Sequence, residues 1–291
     1  MESVIRNSNL LIHMFSYVSP ERSLKEICRF TRTSKKIKNI IDSFDFKKYN
    51  LYLGPIRIDT KNRDDGRVQE DTDNEYIKKI KKRYSNYNLY FANRDTDWGR
   101  QVKDLSEFKD VYGLELLNCR RITNISMLGN LHILKLNSCT MIKNFSGLSN
   151  VHTLSIIDIS VSDTYFSSFS NVKNLRLNGS MWNPIKNVSM LGNCNLHTLN
   201  LSHCNYIKDV SMLGNIHNLN LMDCENIQDV SALGKVHNLD LSYCVNIQDV
   251  SALGKVHTLN LTGCKNIKDV SALGKVHNLS LTGCLNIKDV S

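Results

Sequence analysis

The chain has 291 residues, 41% of them hydrophobic and 22% charged, with 14 glycines, 3 prolines and 9 cysteines. That composition can bury a sizeable core and excludes a disordered or collagen-like chain, and no apolar run approaches the ~20 residues needed to cross a bilayer. The formal charge of +9 is uneven: residues 1–103 hold 22 Lys/Arg against 14 Asp/Glu, a surplus of +8, while residues 104–291 hold 15 against 14, a surplus of +1. Any electrostatic argument about partners therefore belongs to the front third. The start, Met1-Glu2-Ser3-Val4-Ile5-Arg6, carries an acid with no extended apolar region behind it. A secretory leader is therefore not expected, and a reducing compartment, cytoplasmic or nuclear, is.

Residues 9–44 read as three short helical segments. Leu10, Leu11, Met14, Phe15 and Val18 have helical spacing, and Ser19-Pro20 ends that segment. Ser23 can cap a second helix bearing Leu24, Ile27, Cys28 and Phe30, and Ser34 a third with Ile37, Ile40, Ile41 and Phe44. Helices this short must pack on one another or on a partner. Met14-Phe15-Ser16-Tyr17-Val18, Ser19-Pro20, Leu24 and Ile27-Cys28-Arg29 resemble the F-box, although the family's usual leading Leu-Pro is Arg6-Asn7 here. The resemblance implies a small helical domain over residues 5–46. It also implies a Skp-type adaptor and cullin ligase core as partners, contacted through Leu10, Met14, Phe15, Tyr17, Val18, Pro20, Leu24 and Ile27. The plainer alternative is a helical cap that shields the first repeat.

Residues 47–103 read as a strand–helix–strand connecting unit. Tyr49-Asn50-Leu51-Tyr52-Leu53 and Tyr87-Asn88-Leu89-Tyr90-Phe91 alternate like strands, which predicts two parallel strands at the front edge of the repeats. Between them Thr72-Asp73-Asn74-Glu75 is a capping box, and Tyr76, Ile80 and Tyr84 share one helical face. The run Lys78-Lys79-Ile80-Lys81-Lys82-Arg83 is expected to be a solvated basic helix end, with a nuclear-import signal or an acidic-partner patch as the functional alternatives. Nothing in it has the pattern of a nucleic-acid-binding module.

From Asp209 the chain recurs every 20 residues, in copies 209–228, 229–248, 249–268 and 269–288. Looser copies run back to residue 104, making about nine of 20–22 residues with an incomplete last one. In one copy Leu239-Asp240-Leu241 alternates as a short strand, and Val236, Cys244, Ile247, Val250 and Leu253 are too irregularly spaced for a long helix. Asp249-Val250-Ser251-Ala252-Leu253-Gly254 predicts a 3₁₀-like return. There Asp249 and Ser251 bond local backbone and Gly254 lets the chain reverse. Val236, Leu239, Leu241, Cys244 and Ile247 fill the pattern of the leucine-rich repeat family, and the resemblance spans residues 104–291. It implies an α/β solenoid of short parallel strands with an irregular or 3₁₀ convex side.

Seven cysteines (119, 139, 204, 224, 244, 264 and 284) share one repeat position, and seven histidines (132, 152, 197, 217, 237, 257 and 277) share another. Strands roughly 4.8 Å apart make each a straight column, whereas zinc needs converging ligands. The cysteines are therefore expected to be buried hydrophobes whose S–H bonds a backbone carbonyl. The histidines are expected to form a ladder at the lip of the sheet, bonding their neighbours, with mild pH sensitivity below neutrality. No P-loop, Gly-x-Ser-x-Gly or metal motif is present, so no catalysis, metal or cofactor is expected.

The late strand faces are monotonous, so binding is expected where the repeats break pattern. Trp182, on the turn Met181-Trp182-Asn183-Pro184, leads the target-binding candidates, with Tyr243, Asp223, Glu225 and His203 on the rim. An F-box-like segment ahead of leucine-rich repeats resembles a substrate receptor of SCF-type ubiquitin ligases, which implies a protein target on the repeats and no membrane or nucleic-acid role. The alternative is a leucine-rich scaffold or inhibitor whose front helices only cap the stack. The near-identical Asn/Ile/Lys-rich copies resemble those of large DNA viruses or amoeboid protists, in which case the setting is a host cell.

Overall fold

A computed structural model describes residues 50–53, 77–78, 81–82, 88–92, 99–100, 102–178 and 184–287. The F-box-like segment and Trp182 lie outside the described residues. Each repeat places one Leu-x-Leu segment on a single parallel sheet, because alternation turns both leucines to one side and the middle residue to the other. Eleven strands are seen among the described residues, in sequence order. They are β1 (Asn50–Leu53), β2 (Asn88–Ala92), β3 (Gly113–Leu117), β4 (Ile133–Asn137), β5 (Thr153–Ile157), β6 (Asn174–Asn178), β7 (Thr198–Asn200), β8 (Asn218–Asn220), β9 (Asn238–Asp240), β10 (Thr258–Asn260) and β11 (Asn278–Ser280). The register is one repeat per rung, with Leu239 opposite Leu259 and Leu259 opposite Leu279. The architecture is a leucine-rich-repeat solenoid.

Strand length changes along the stack for a local reason. Strands β7 to β10 have three residues, because the residue after Leu199, Leu219, Leu239 or Leu259 is Asn or Asp and folds back on its own chain. Asn200, Asn220, Asp240 and Asn260 accept from the backbone N–H two residues on, at 2.9–3.0 Å. In β3 to β6 the same place holds Glu115, Lys135, Ser155 and Arg176, no such bond forms among the hydrogen bonds described there, and the strand runs for five residues. This is the Asx-turn competition between side chain and ladder.

Behind the sheet each unit returns through a 3₁₀ turn, such as Ser231–Leu233 and Ser251–Leu253. Asp229, Asp249 and Asp269 each accept from the N–H of the serine two residues on at 2.8 Å, in line with the sequence expectation. Asn124, Asn144 and Asn187 do the same in the earlier copies. All seven apolar positions of a unit are buried, for example Val236, Leu239, Leu241, Cys244, Ile247, Val250 and Leu253. In the middle of the stack a longer 3₁₀ segment, Asp163–Phe169, brings Phe166 and Phe169 into the core beside it.

Gly254 does not act as the repeat suggests. Its φ is −62°, open to any residue. What it supplies is closeness: a Cβ there would lie 2.3 Å from the Ala272 carbonyl oxygen of the next rung, and one on Gly234 would lie 2.4 Å from that of Ala252. The turns stack backbone on backbone.

At the front, β1 pairs with β2 and β2 with β3, all parallel. Residues 77–78 and 81–82 are helical, and Ile77 is buried. Two lysines of the basic run tie this segment to the first 3₁₀ turn rather than pointing only to solvent. Lys78 pairs with Glu107 at 3.6 Å, and Lys81 pairs with Asp110 and donates to the Glu107 carbonyl at 2.9 Å. Lys82 is exposed.

Close turn stacking has a direct test in two Gly→Ala variants. Gly234→Ala must displace the Ala252 carbonyl and should cost about 1–3 kcal/mol in denaturant unfolding. Gly274 has the same backbone (φ −60°), and a methyl group added there would meet nothing within 4 Å among the described residues. As alanine it should instead gain a few tenths to about 1 kcal/mol. Equal effects of the two substitutions would refute the contact.

Candidate interaction surface

Three columns of side chains stand beside the sheet, each made by one repeat position. In the first, the buried cysteines donate S–H to the leucine carbonyl one rung back. Cys224 reaches Leu201 at 3.2 Å, Cys244 reaches Leu221 at 3.1 Å and Cys264 reaches Leu241 at 3.1 Å. Burial pushes the Cys244 and Cys264 thiols up to about 12. They stay protonated at neutral pH and behave as small hydrophobes, not nucleophiles.

The second column is aromatic. Its rings stack face to face instead of hydrogen-bonding one another. Tyr112, His132 and His152 form one run with centroids 4.3–4.7 Å apart. Lys173 interrupts it, donating to the Asn195 carbonyl at 3.3 Å. His197, His217, His237, His257 and His277 form a second run at 4.6–4.7 Å with planes within 16°. Among the described residues no three His, Cys, Asp or Glu side chains converge as a metal would require. The His132 ring is held below the usual imidazole range, by burial first and then by repulsion from His152.

The third column is a strained rim, and it collects most of the candidate binding residues. Asn118, Ser138, Asp158, His203, Asp223 and Tyr243 all have φ between 54° and 62°, and Gly263 and Gly283 occupy the same position at 75° and 76°. Glycine is the unstrained choice there and Asn or Asp is tolerated, whereas Ser138, His203 and Tyr243 meet their own Cβ against the carbonyl. In six rungs a side chain is kept regardless. His203 and Asp223 meet across one rung, Nδ1 to Oδ2 at 2.9 Å. Tyr243 follows on the next rung, 52% exposed. Its ring lies against Gly263, where a Cβ would come within 2.7 Å of it. Gly263 thus serves twice, as a left-handed residue and as the seat of the ring. Glu225, exposed on the Asp223 rung, lends its carbonyl to Asn246 at 2.8 Å.

The left-handed backbone shared by His203, Asp223 and Tyr243 was not visible to sequence reasoning. Nor was exposed Tyr206, which stands where later copies carry an asparagine bonded to the preceding rung, as Asn266 is to Val245 at 2.9 Å. The available signals were glycine at 263 and 283 and Asn or Asp at 118, 158 and 223. On the open face of β3 and β4, Tyr90 donates to Glu115 at 2.9 Å while Lys135 sits 3.7 Å from the same carboxylate and 5.7 Å over the Tyr90 ring. This forms a small charged corner on the longer strands.

No protein-family model matches the chain, and no curated protein matches it in sequence. Solved structures similar to it include an internalin from Listeria monocytogenes, at 16% identity and a TM-score of 0.39 over 67% of this chain and 78% of that one. A second is the functional domain of InlJ from Listeria monocytogenes, described as including a cysteine ladder. It aligns at 18% identity and a TM-score of 0.38, over 70% of this chain and 41% of that one.

Acid should weaken the fold in two limbs. His132 favours its neutral form when folded, so its contribution is present above the unfolded value near 6.5 and is lost as pH falls below it. The turn-capping carboxylates of Asp209, Asp229, Asp249 and Asp269 are held below their ordinary value by hydrogen bonds from the following serine. Their contribution is present above about 3.9 and is lost as pH falls through the folded values. Replacing Asp229, Asp249 and Asp269 with Asn, the residue that caps the earlier turns, should flatten the lower limb alone. Melting temperatures from pH 7 to about 2.5 check this, and an unchanged lower limb would overturn it.

The rim strain is measurable at Tyr243. Alanine there loses the ring and keeps the left-handed strain, whereas glycine loses both. Tyr243→Gly should be more stable than Tyr243→Ala by about 1 kcal/mol in urea unfolding, and equal stability would contradict a strained rim.

Proposed function

We propose that the chain is a non-catalytic protein-interaction adaptor that holds a target protein on its rim through Tyr243, the His203–Asp223 pair and Glu225. The observation that carries this reading is Tyr243, an exposed ring held at a left-handed position that Gly263 and Gly283 fill in the following rungs. Strain kept at an exposed, pre-positioned aromatic suits a recognition role. Trp182, outside the described residues, is a further candidate for contacting the same target.

The finer reading is a substrate-recognition subunit of an SCF-type E3 ubiquitin ligase, working in the cytoplasm or nucleus, and of a host cell if the source is a virus. Residues 5–46 would dock a Skp-type adaptor through Leu10, Met14, Phe15, Tyr17, Val18, Pro20, Leu24 and Ile27. Ubiquitin transfer would then be left to the cullin core. The first repeat is already covered by β2 and the segment around Ile77, with Phe91 edge-on to Phe108 at 5.4 Å. This supports a role for the front helices other than closing that repeat.

Purified chain should retain a purified Skp adaptor and, through it, a cullin. Phe15→Glu with Ile27→Glu should abolish retention while leaving the unfolding of the solenoid unchanged. Failure of the unaltered chain to retain the adaptor, or undiminished retention by the double variant, would remove the ligase reading. What would remain is a leucine-rich scaffold or inhibitor with capping helices.

A further inference from the structure

On the convex side, away from the strands, an open groove of about 610 Å³ crosses three successive rungs of the late repeats. Two residue changes coincide there. The second residue of the 3₁₀ turn is Glu107, Met127, Gly147, Met190 or Met212 in earlier copies, and Ala232, Ala252 or Ala272 in these. The residue after the turn glycine is Asn130, Asn193 or Asn215 earlier, and Lys235, Lys255 or Lys275 here. Met190 and Met212 stand exposed on their turns, whereas Ala252 and Ala272 leave that space open and line the groove with the three lysines. In the front copies the equivalent amides satisfy each other, Asn150 donating to Asn130 at 3.3 Å. Lysines cannot do this for one another. Among the described residues none of the three has an ion-pair partner, and no carboxylate lines the groove.

We propose that this groove docks an acidic α-helix of a partner protein, with carboxylates at i, i+3 and i+7 facing Lys235, Lys255 and Lys275. Spacing selects the helix. Three rungs span about 9.6 Å at roughly 4.8 Å each, and seven helical residues rise about 10.5 Å. An extended chain places successive same-face residues about 6.6 Å apart, overshooting to about 13 Å. The small floor lets a helix come close enough for its acids to reach the lysine row. This surface lies on the opposite side from the sheet and does not depend on the rim or on the ligase reading.

The test uses the full chain and a fluorescein-labelled, alanine-based helix of about 20 residues with glutamates at i, i+3 and i+7 on one face, read by anisotropy. Three probes of equal charge serve as controls: the same composition with glutamates scattered round the helix, an unstructured Gly/Ser peptide, and a single-stranded oligonucleotide. The patterned helix should bind at least about tenfold tighter than any control and weaken with salt. Lys235→Gln with Lys255→Gln and Lys275→Gln should abolish binding. Ala252→Met with Ala272→Met should weaken it about tenfold with every charge in place. Both alanines are exposed and Met212 already occupies the equivalent site, so the fold tolerates methionine there. A control that binds as tightly as the patterned helix, or methionine variants that bind unchanged, would reduce the effect to undirected attraction of anions and overturn the proposal.

Discussion

The Ala252 carbonyl oxygen lies 2.4 Å from the place a Cβ on Gly234 would occupy, and this approach fixes how closely the late turns stack. A difference in rise between the front and the back of a repeat bends a solenoid. Hydrogen bonds between strands set the climb in front. At the back there is no such ladder, and 3₁₀ turns would stand apart if each carried a side chain toward the next. Glycine at 214, 234 and 254 removes that side chain, so turn rests on turn and the buried leucines of consecutive rungs stay in contact. Stability in such a stack comes from each rung on its neighbour, and a single methyl group in this place acts on the interface itself.

Stacking at one repeat per rung has a chemical consequence: each side chain lives one rung from its counterparts. The columns differ in how they meet that demand. Cysteine donates to the Leu201, Leu221 or Leu241 carbonyl and is satisfied by burial. Asn246, Asn266 and Asn286 each donate their side-chain amide to a backbone carbonyl of the preceding rung, those of Glu225, Val245 and Lys265, at 2.7–2.9 Å. Imidazole rings stack, as His237 does on His257 with planes 5° apart. Lysine has no such option, since three donors and a positive charge repel the same group above and below. A repeated residue that can satisfy itself belongs to the fold, and one that cannot points outward.

Much of the fold was legible because the repeat displays it many times over. Leu239 and Leu241 alternate, Cys244 and Ile247 follow at fixed spacing, and Asp249 precedes a serine it can cap. Each of those roles requires a particular residue type. Gly254 was misread because two different needs, left-handed backbone and absent Cβ, select the same residue, and only geometry separates them. The rim was hidden for the opposite reason. Six non-glycine residues share one backbone conformation at positions 118 to 243, and Ser138, His203 and Tyr243 among them mask the Asn, Asp and Gly pattern that would announce it. The histidine column was visible as a column, yet spacing alone does not say whether rings stack or bond. The lysine ties from residues 78 and 81 to Glu107 and Asp110 join segments more than 25 residues apart in sequence, beyond what local pattern can show.

The rim carries the argument for function because it separates what folding needs from what it merely tolerates. Gly263 and Gly283 occupy the left-handed position and their rungs close as the others do, with Cys264 and Cys284 bonded one rung back at 3.1 and 3.0 Å. A side chain at this position is therefore not required for closure. Where the residue is neither Gly, Asn nor Asp, as at Ser138, His203 and Tyr243, it costs about 1–2 kcal/mol of backbone strain, and a stack of near-additive rungs has no distant contact through which to offset it. His203 and Asp223 recover part of that cost through their mutual bond. Tyr243 shows no comparable polar contact among the described hydrogen bonds, rests on a glycine and leaves half its surface in water. An exposed ring held in a strained place is poorly explained by stability and well explained by a partner that covers it.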